Sequence, residues 1–455
     1  MQNFVHLHVH TQYSLLDGQA SISRLVDKAM KEGMPGIAVT DHGNMFGVKE
    51  FWNYVKKKNG AKYDSIKKLT KLSEKMAKLL VEHPDLSVLK VQLAEAVAQK
   101  QAQIESSDTY SLDDNEQLND LKGQLSAVES MEKEFSYSTE VAEQKIAELK
   151  SIKDFKPIIG CEVYVARTSL ELKRKEVKSD MGGWHLILLA KNLQGYKNLI
   201  KIVSRAWTDG FYNRPRTDHR ELERYHEGLI CCSACVGGEI PKLILSGNIE
   251  EAEKSILWHK SIFGEDYYLE LQRHKATVER ANHEIYPIQQ QVNEQLVALA
   301  RKHNIKLVCT NDVHFVNEED AEAHDRLITI NSRHDFDSPD RLLYSKQEWM
   351  KSRAEMSELF ADYPEALANT LEICDKVESY SIDHDPIMPM FDIPADFGTE
   401  EEYRSRFTEQ DLFNEFTRDE NGNEIMSQEE AEKKIVKLGG YDRLYRIKFE
   451  ADYLA

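Results

Sequence analysis

Three histidines at alternate positions, His6-Leu7-His8-Val9-His10, with Asp17 seven residues further on, place several metal-binding side chains within the first turn of the chain. Histidine is only 16 of 455 residues, so this spacing is not background. On a β-strand, successive side chains point to opposite faces, and the alternation would send these imidazoles to one side. A single structural zinc or a knot of hydrogen-bonded histidines would use the same residues. Further imidazoles, carboxylates and a thiol recur beside apolar runs: Thr40-Asp41-His42-Gly43, Cys161-Glu162, Trp184-His185, Cys231-Cys232-Ser-Ala-Cys235 and Asn311-Asp312-Val313-His314. Together these donors suit zinc or manganese. More than four of them imply a multinuclear site rather than one closed tetrahedral zinc.

The elements that must hold these residues are legible as short apolar, β-branched runs. They fall near Phe4–Val9, Gly36–Thr40, Pro157–Val165, His185–Ala190, Leu229–Ser233, Tyr267–Leu271 and Ile305–Thr310. Amphipathic stretches lie between several of them, such as Ile22–Lys31, Gly195–Ala206, Ile249–Phe263 and Ile288–Lys302. Strands alternating with helices predict an α/β fold around a mainly parallel sheet, closed like a barrel, with functional residues at the carboxyl ends of strands. His185 is the exception, because it starts its strand instead of ending it.

Composition bounds the setting. The length suggests two to four domain-sized units. No run of eighteen apolar residues appears, and Met1-Gln-Asn-Phe-Val has neither the basic nor the apolar region of a signal peptide, so a soluble, cytoplasmic chain with no membrane partner is expected. Six cysteines are too few for a disulfide framework and fit reduced thiols. A formal charge of −19 argues against a generally basic, nucleic-acid-coating surface.

His8-x-His10-Thr-x-x-Ser14-x-x-Asp17-Gly18, Thr40-Asp41-His42-Gly43-Asn44 and Asn311-Asp312-x-His314 resemble the signature motifs of the polymerase and histidinol phosphatase (PHP) superfamily. The stretches 33–45, 156–162 (Lys-Pro-Ile-Ile-Gly-Cys-Glu) and 185–192 are similar to the amino-terminal region of the bacterial replicative DNA polymerase III alpha-subunit family. The similarity continues through Gly238-Glu239-Ile240, Tyr268–His274 and 321–325. The resemblance implies a distorted seven-stranded (β/α) barrel of the PHP type. It implies a metal site of His8, His10, Asp17, His42, Glu162, His185, Cys235, Asp312 and His314 that holds three divalent ions, zinc or manganese or iron. It also implies a 3′–5′ exonuclease acting on DNA 3′ ends, with Glu162 and Asp312 as catalytic residues: Glu162 as a bridge, Asp312 as a second bridge or a positioner of the nucleophile. His6 is expected to pack or support, Asp41 to orient His42, and Cys231 and Cys232 to lie in the core. Arg205, Arg214, Arg216, Arg220 and Arg273 are candidates to grip a phosphate backbone.

On this basis residues 1–56 and 155–315 form the two parts of the PHP domain. Residues 57–154 depart from the family as a helical insertion. Apolar residues at helical spacing (Leu69 to Leu80, Leu89 to Ile104, Leu118 to Met131), with breaks at His83-Pro84-Asp85 and from Ser106, read as an antiparallel helical hairpin, either an arm toward a partner or a tolerated insertion. Residues 316–455 are acidic and largely helical, with Ser345–Phe360 and Tyr363–Val377 resembling the connection to the polymerase palm and thumb. The palm's Pro-Asp-x-Asp motif is absent, and Asp392 and Asp396 are not its equivalents. The chain is therefore expected to be the truncated amino-terminal part of a polymerase, unable by itself to add nucleotides. In the complete protein a proofreading subunit and a sliding clamp would be partners. Two other readings compete: a metal-stabilised scaffold for a proofreading partner, and a small-molecule phosphatase.

Overall fold

The structure is a computed structural model that describes residues 4–82, 86–106, 112–134, 139–177, 180–332, 334–338, 340–384, 393–394, 396–419 and 422–454. Seven strands form one curled sheet: β1 (Gly36–Val39), β2 (Lys156–Val165), β3 (Trp184–Ala190), β4 (Arg216–Thr217), β5 (Leu229–Cys232), β6 (Tyr267–Leu271) and β7 (Lys306–Cys309). Their order is β1-β2-β3-β5-β6-β7, with β4 beside β2.

The sheet is mainly parallel, with β3 the exception, running antiparallel to both β2 and β5. One expectation is corrected. The segment from Phe4 to Val9 is not a regular strand, and the two-residue β4 takes its place in the count. That segment bends at His8 and divides its hydrogen bonds between two neighbours. Ala38 N and Thr40 N donate to His6 O and Val9 O on one side (2.9 and 2.8 Å). On the other, His10 N and Val313 N exchange bonds with Val313 O and His8 O (2.7 and 3.1 Å). It thereby closes the curl between β1 and the turn after β7.

The period-2 alternation of the strands explains how a metal-ligand set coexists with a core. Outward residues such as Ile159, Cys161, Val163, Leu188, Cys231 and Leu269 pack under the surrounding helices. Inward residues Ala38, Ile158, Ile187, Ile230, Cys232, Tyr268 and Val308 form a second core, closed at the bottom by Ile373, Cys374 and Val377. One or two steps further along the same inward faces, the residue types become His42, Glu162, His185 and Glu270. Cys231 and Cys232 thus fall in the two cores, one on each face.

The stretch 57–154 falls largely in four helices among the described residues. α1 (Ile22–Lys31) precedes it; α2 (Val48–Glu82) starts in the barrel and runs into it, followed by α3 (Leu86–Glu105), α4 (Leu112–Glu134) and α5 (Thr139–Ser151). α2 packs against α5, and α3 against α4. Its base is pinned where Asn59 bonds the backbone N and O of Phe155 (3.0 and 2.9 Å) and Lys62 bonds Ile152 O and Asp154. The expected breaks at 83–85 and 107–111 lie outside the described residues, as does Asp392.

Within 345–360, only Arg353–Leu359 is helical; the stretch before it is buried, non-helical backbone. Pro364–Lys376 is a helix whose Thr370 Oγ1 accepts from Val5 N at 3.1 Å. The chain divides into two compact units, Met1–Ile382 and Asp383–Ala455. The second contains four short helices around Leu412, Ile435 and Leu444. Among the described residues, no helix is long and apolar enough to cross a membrane.

Candidate metal centre

Glu162 sits at the middle of the inward-facing cluster, fully buried, with its two oxygens facing different neighbours. Oε1 lies 2.8 Å from His185 Nδ1, 3.3 Å from His8 Nε2 and 3.9 Å from Cys235 Sγ. Oε2 is in close contact with His42 Nδ1 and 3.9 Å from His10 Nε2. Asp312 Oδ1 comes within 3.1 Å of His8 Nε2 and 3.2 Å of His10 Nε2. Asp17 Oδ2 accepts from His42 Nε2 (2.9 Å) and lies 3.9 Å from His314 Nε2. All nine residues singled out in the sequence meet in one cluster. Ligand atoms lie within 4.8 Å of one another in three overlapping triplets: His10, His42 and His314; His8, His10 and Glu162; Glu162, His185 and Cys235.

The backbone delivers these groups in ways only certain residues permit. Asp312 adopts a positive φ of 45°, a region where Asp and Asn are favoured over other non-glycine residues. Gly43 follows His42 with φ +59°, and a Cβ there would come 2.6 Å from Pro215 Cγ. A Cβ on Gly18, beside Asp17, would lie 2.0 Å from Thr11 O. His185 belongs at this rim because β3 is antiparallel, so its start lies level with the ends of its parallel neighbours.

The donor set fits divalent ions. His8 Nε2, His10 Nε2 and Asp312 Oδ1 are buried and complete no hydrogen bond, although they approach one another closely. Leaving such groups unpaired costs about 1–3 kcal/mol each, which a shared cation would offset. The far sides of the rings are fixed. His8 Nδ1 lies 2.6 Å from Glu270 Oε1. His10 Nδ1 lies 3.0 Å from Ser14 Oγ, whose own proton goes to Asp41, so His10 donates there and keeps Nε2 as a lone pair. His314 Nδ1 donates to Asp312 O at 2.8 Å. Such outer partners are a regular accompaniment of metal-binding histidines.

Protonation agrees with this at His10 and the carboxylates, whereas His8 would have to give up a proton to a cation. Burial, aided by His42 and His314, pushes His10 down to about 3 and keeps it neutral. Burial opposes ionisation of Glu162 and Asp312, yet the surrounding imidazoles hold both well below the carboxylate range. Burial also opposes a charge on His8, but Asp312 and Glu270 hold its proton on well above the usual range. Burial, Asp312 and Glu162 push the Cys235 thiol well up, so it becomes a thiolate only beside a cation.

Residues 6–79 and 89–274 match the PHP-domain family. The chain belongs to that family. Over the longer span of 407 residues, the chain is 37% identical to the DNA polymerase III subunit alpha of Borreliella burgdorferi, covering 89% of this chain and 26% of that protein. It is 30% identical to the same subunit of Treponema pallidum (91% and 26%) and 31% identical to that of Thermus aquaticus (81% and 22%). It spans about a quarter of the length of these relatives.

Asp41 and most of the arginines differ from expectation, while His6 packs behind the cluster. Asp41 does not touch the His42 ring; it accepts from Thr11 N, Thr11 Oγ1 and Ser14 Oγ, and so braces the turn behind His10. His6 turns away and donates from Nε2 to Lys351 O at 2.8 Å. Of the five arginines, Arg216 is fully buried and binds the carbonyls of Gly210, Asp180, Leu170 and Leu172. Arg205, Arg220 and Arg273 pair with carboxylates. Arg214 is exposed at the mouth, 5.5 Å over the Tyr164 ring. Glu270 and Tyr344, whose hydroxyl donates to Asp17 at 2.9 Å, escaped the sequence reading. A carboxylate in the apolar run Tyr267–Leu271 was the available signal for Glu270; Tyr344 had none.

Proposed function

We propose that this PHP domain is a metal-dependent phosphodiesterase that shortens DNA from its 3′ end, and that the chain is the amino-terminal part of a DNA polymerase III alpha subunit engaged in replication. The observation that carries the nucleic-acid reading is an aromatic strip at the mouth of the site. Trp207 donates from Nε1 to Gly43 O at 2.8 Å, next to His42, and stacks on Phe211 (5.4 Å between centroids), with the tilted Phe46 ring 6.0 Å away. All three are exposed. Exposed stacked aromatics beside an arginine suit unpaired bases and their phosphates, and a small phosphate monoester would make no use of them.

In this reading His8, His10, Asp17, His42, Glu162, His185, Cys235, Asp312 and His314 hold up to three divalent ions, zinc or manganese or iron. Bound divalent ions supply Lewis-acid polarisation of the phosphate and an acidified water. His8, His10 and Glu162 form the closed floor. Asp17, His42, His185 and Asp312 keep 15–26% of their side chains exposed and form the rim that meets substrate. Arg214 approaches the phosphate, the aromatic strip holds the terminal bases, and Asp312 positions the attacking water through its carboxylate. Tyr344 holds Asp17 in place. The domain division given by the sequence, a cytoplasmic location and contacts with other replicase subunits belong to the same proposal.

Metal content by mass spectrometry, run beside hydrolysis of a 3′-labelled single strand with and without manganese, tests it. About three ions per chain with stepwise shortening is the expected result. Metal without cleavage of the strand would overturn it, in favour of a scaffold or a small-phosphate enzyme.

A further inference from the structure

We propose that His219, Glu239 and His259 form a separate metal site suited to zinc, in the helical layer outside the sheet, sharing no residue with the central cluster. One ligand atom from each lies within 4.8 Å of the others. His219 and Glu239 each open a short helix, 219–225 and 239–245, and His259 lies in the helix 249–263. His219 Nε2 is 3.0 Å from Glu239 Oε2, close to the separation of about 3.3 Å that two ligands of a tetrahedral zinc adopt at bond lengths near 2.0–2.1 Å.

The decisive residue is His259. It is 1% exposed, and its Nδ1 donates to Ser255 O at 2.8 Å, which makes Nε2 a bare lone pair. Nε2 has no hydrogen-bond partner. A ring with one nitrogen anchored on a backbone carbonyl and the other bare and buried is the arrangement of a metal-ligating histidine. Burial holds this imidazole neutral, its pKa pushed down to about 4.

The walls keep the ring rigid. Tyr267 lies parallel to it, 5.3 Å away at 13°, and Trp258 stands edge-on to both His259 and His219. Two imidazoles and a carboxylate make a zinc donor set with a fourth position left for water. The His219 side chain is 38% exposed, so that position has an outlet. A plain His219–Glu239 hydrogen bond accounts for two of the residues but leaves His259 Nε2 unexplained.

The test uses the full chain loaded with zinc alone, dialysed and counted by mass spectrometry. His219→Ala, at the most exposed ligand, should hold one zinc fewer than wild type. Asp312→Asn, in the central cluster, should keep the zinc that His219→Ala loses, and the double variant should lose both contributions. Replacing zinc with cobalt(II) should give His219→Ala a weaker visible tetrahedral band than wild type. An unchanged zinc count in His219→Ala and in Glu239→Gln would overturn the proposal. The readout is a metal count and stands whether or not the chain cuts DNA.

Discussion

Glu270 reaches His8 from behind: its Oε1 lies 2.6 Å from Nδ1, and the opposite nitrogen of the same ring faces Glu162 and Asp312. Thr310 Oγ1 and Gln272 Nε2 donate to that same Oε1, at 2.5 and 3.0 Å, and so fix the carboxylate against the ring. Glu270→Gln should therefore weaken metal binding by roughly 10–100-fold without removing any ligand. Competitive titration against a chelator checks this; an unchanged affinity would mean that the His8 ring is positioned by packing alone.

Asp312 occupies a left-handed backbone position that Asn tolerates, so Asp312→Asn should fold normally. Its loss of charge should abolish strand hydrolysis while the thermal midpoint of the metal-free chain moves by only a few degrees. Persistent hydrolysis in this variant would place the chemistry elsewhere.

Phe211→Ala removes one face of the aromatic strip and leaves the bond from Trp207 to Gly43 intact. A stacked base contributes about 1–3 kcal/mol, so KM for a labelled strand should rise between about 5- and 150-fold. Hydrolysis of bis(p-nitrophenyl) phosphate should not change. An equal loss on both substrates would remove the strip from the substrate path.

Lys351 is buried against Trp349, with its ammonium donating to Gln347 O at 2.5 Å. Burial lowers its pKa from 10.5 to about 8, outweighing Glu348 and Glu355 nearby. The folded state thus disfavours the charged form. The penalty is complete below about pH 8 and fades as pH rises toward 10.5, because over that window the unfolded chain binds the extra proton. Relative to Lys351→Met, wild type should gain about 2–3 kcal/mol between pH 7 and pH 10, on the order set by the shift. Urea denaturation of both proteins at the two pH values measures it, and parallel curves would refute it.

The ligand motifs were legible because each is a short polar group set directly beyond an apolar run, and period-2 strands have little freedom in where they send such residues. Strand direction was not legible from the same runs. His185 looked misplaced only because an antiparallel β3 cannot be told from a parallel one by its own residues. The bend at His8 was equally hidden, since it follows from hydrogen bonds to β1 and to residues near 313, both remote in sequence. Asp41 illustrates the other limit: adjacency to His42 suggested a partnership, whereas the turn at Thr11–Ser14 captures the carboxylate. Helix α5 was missed because its apolar positions are few, and its pairing is with α2 at the base of the insertion.

Helix α2 begins at Val48, six residues after His42, and continues without interruption to Glu82. At 1.5 Å per residue, its 35 residues make a helix about 50 Å long. Its first turns are locked into the core by Val48, Phe51 and Val55, and Asn59 and Lys62 tie it to the residues just before β2. Only the length beyond Lys62, about 30 Å, is therefore a projecting rod, and its root lies a full strand length away from the metal cluster.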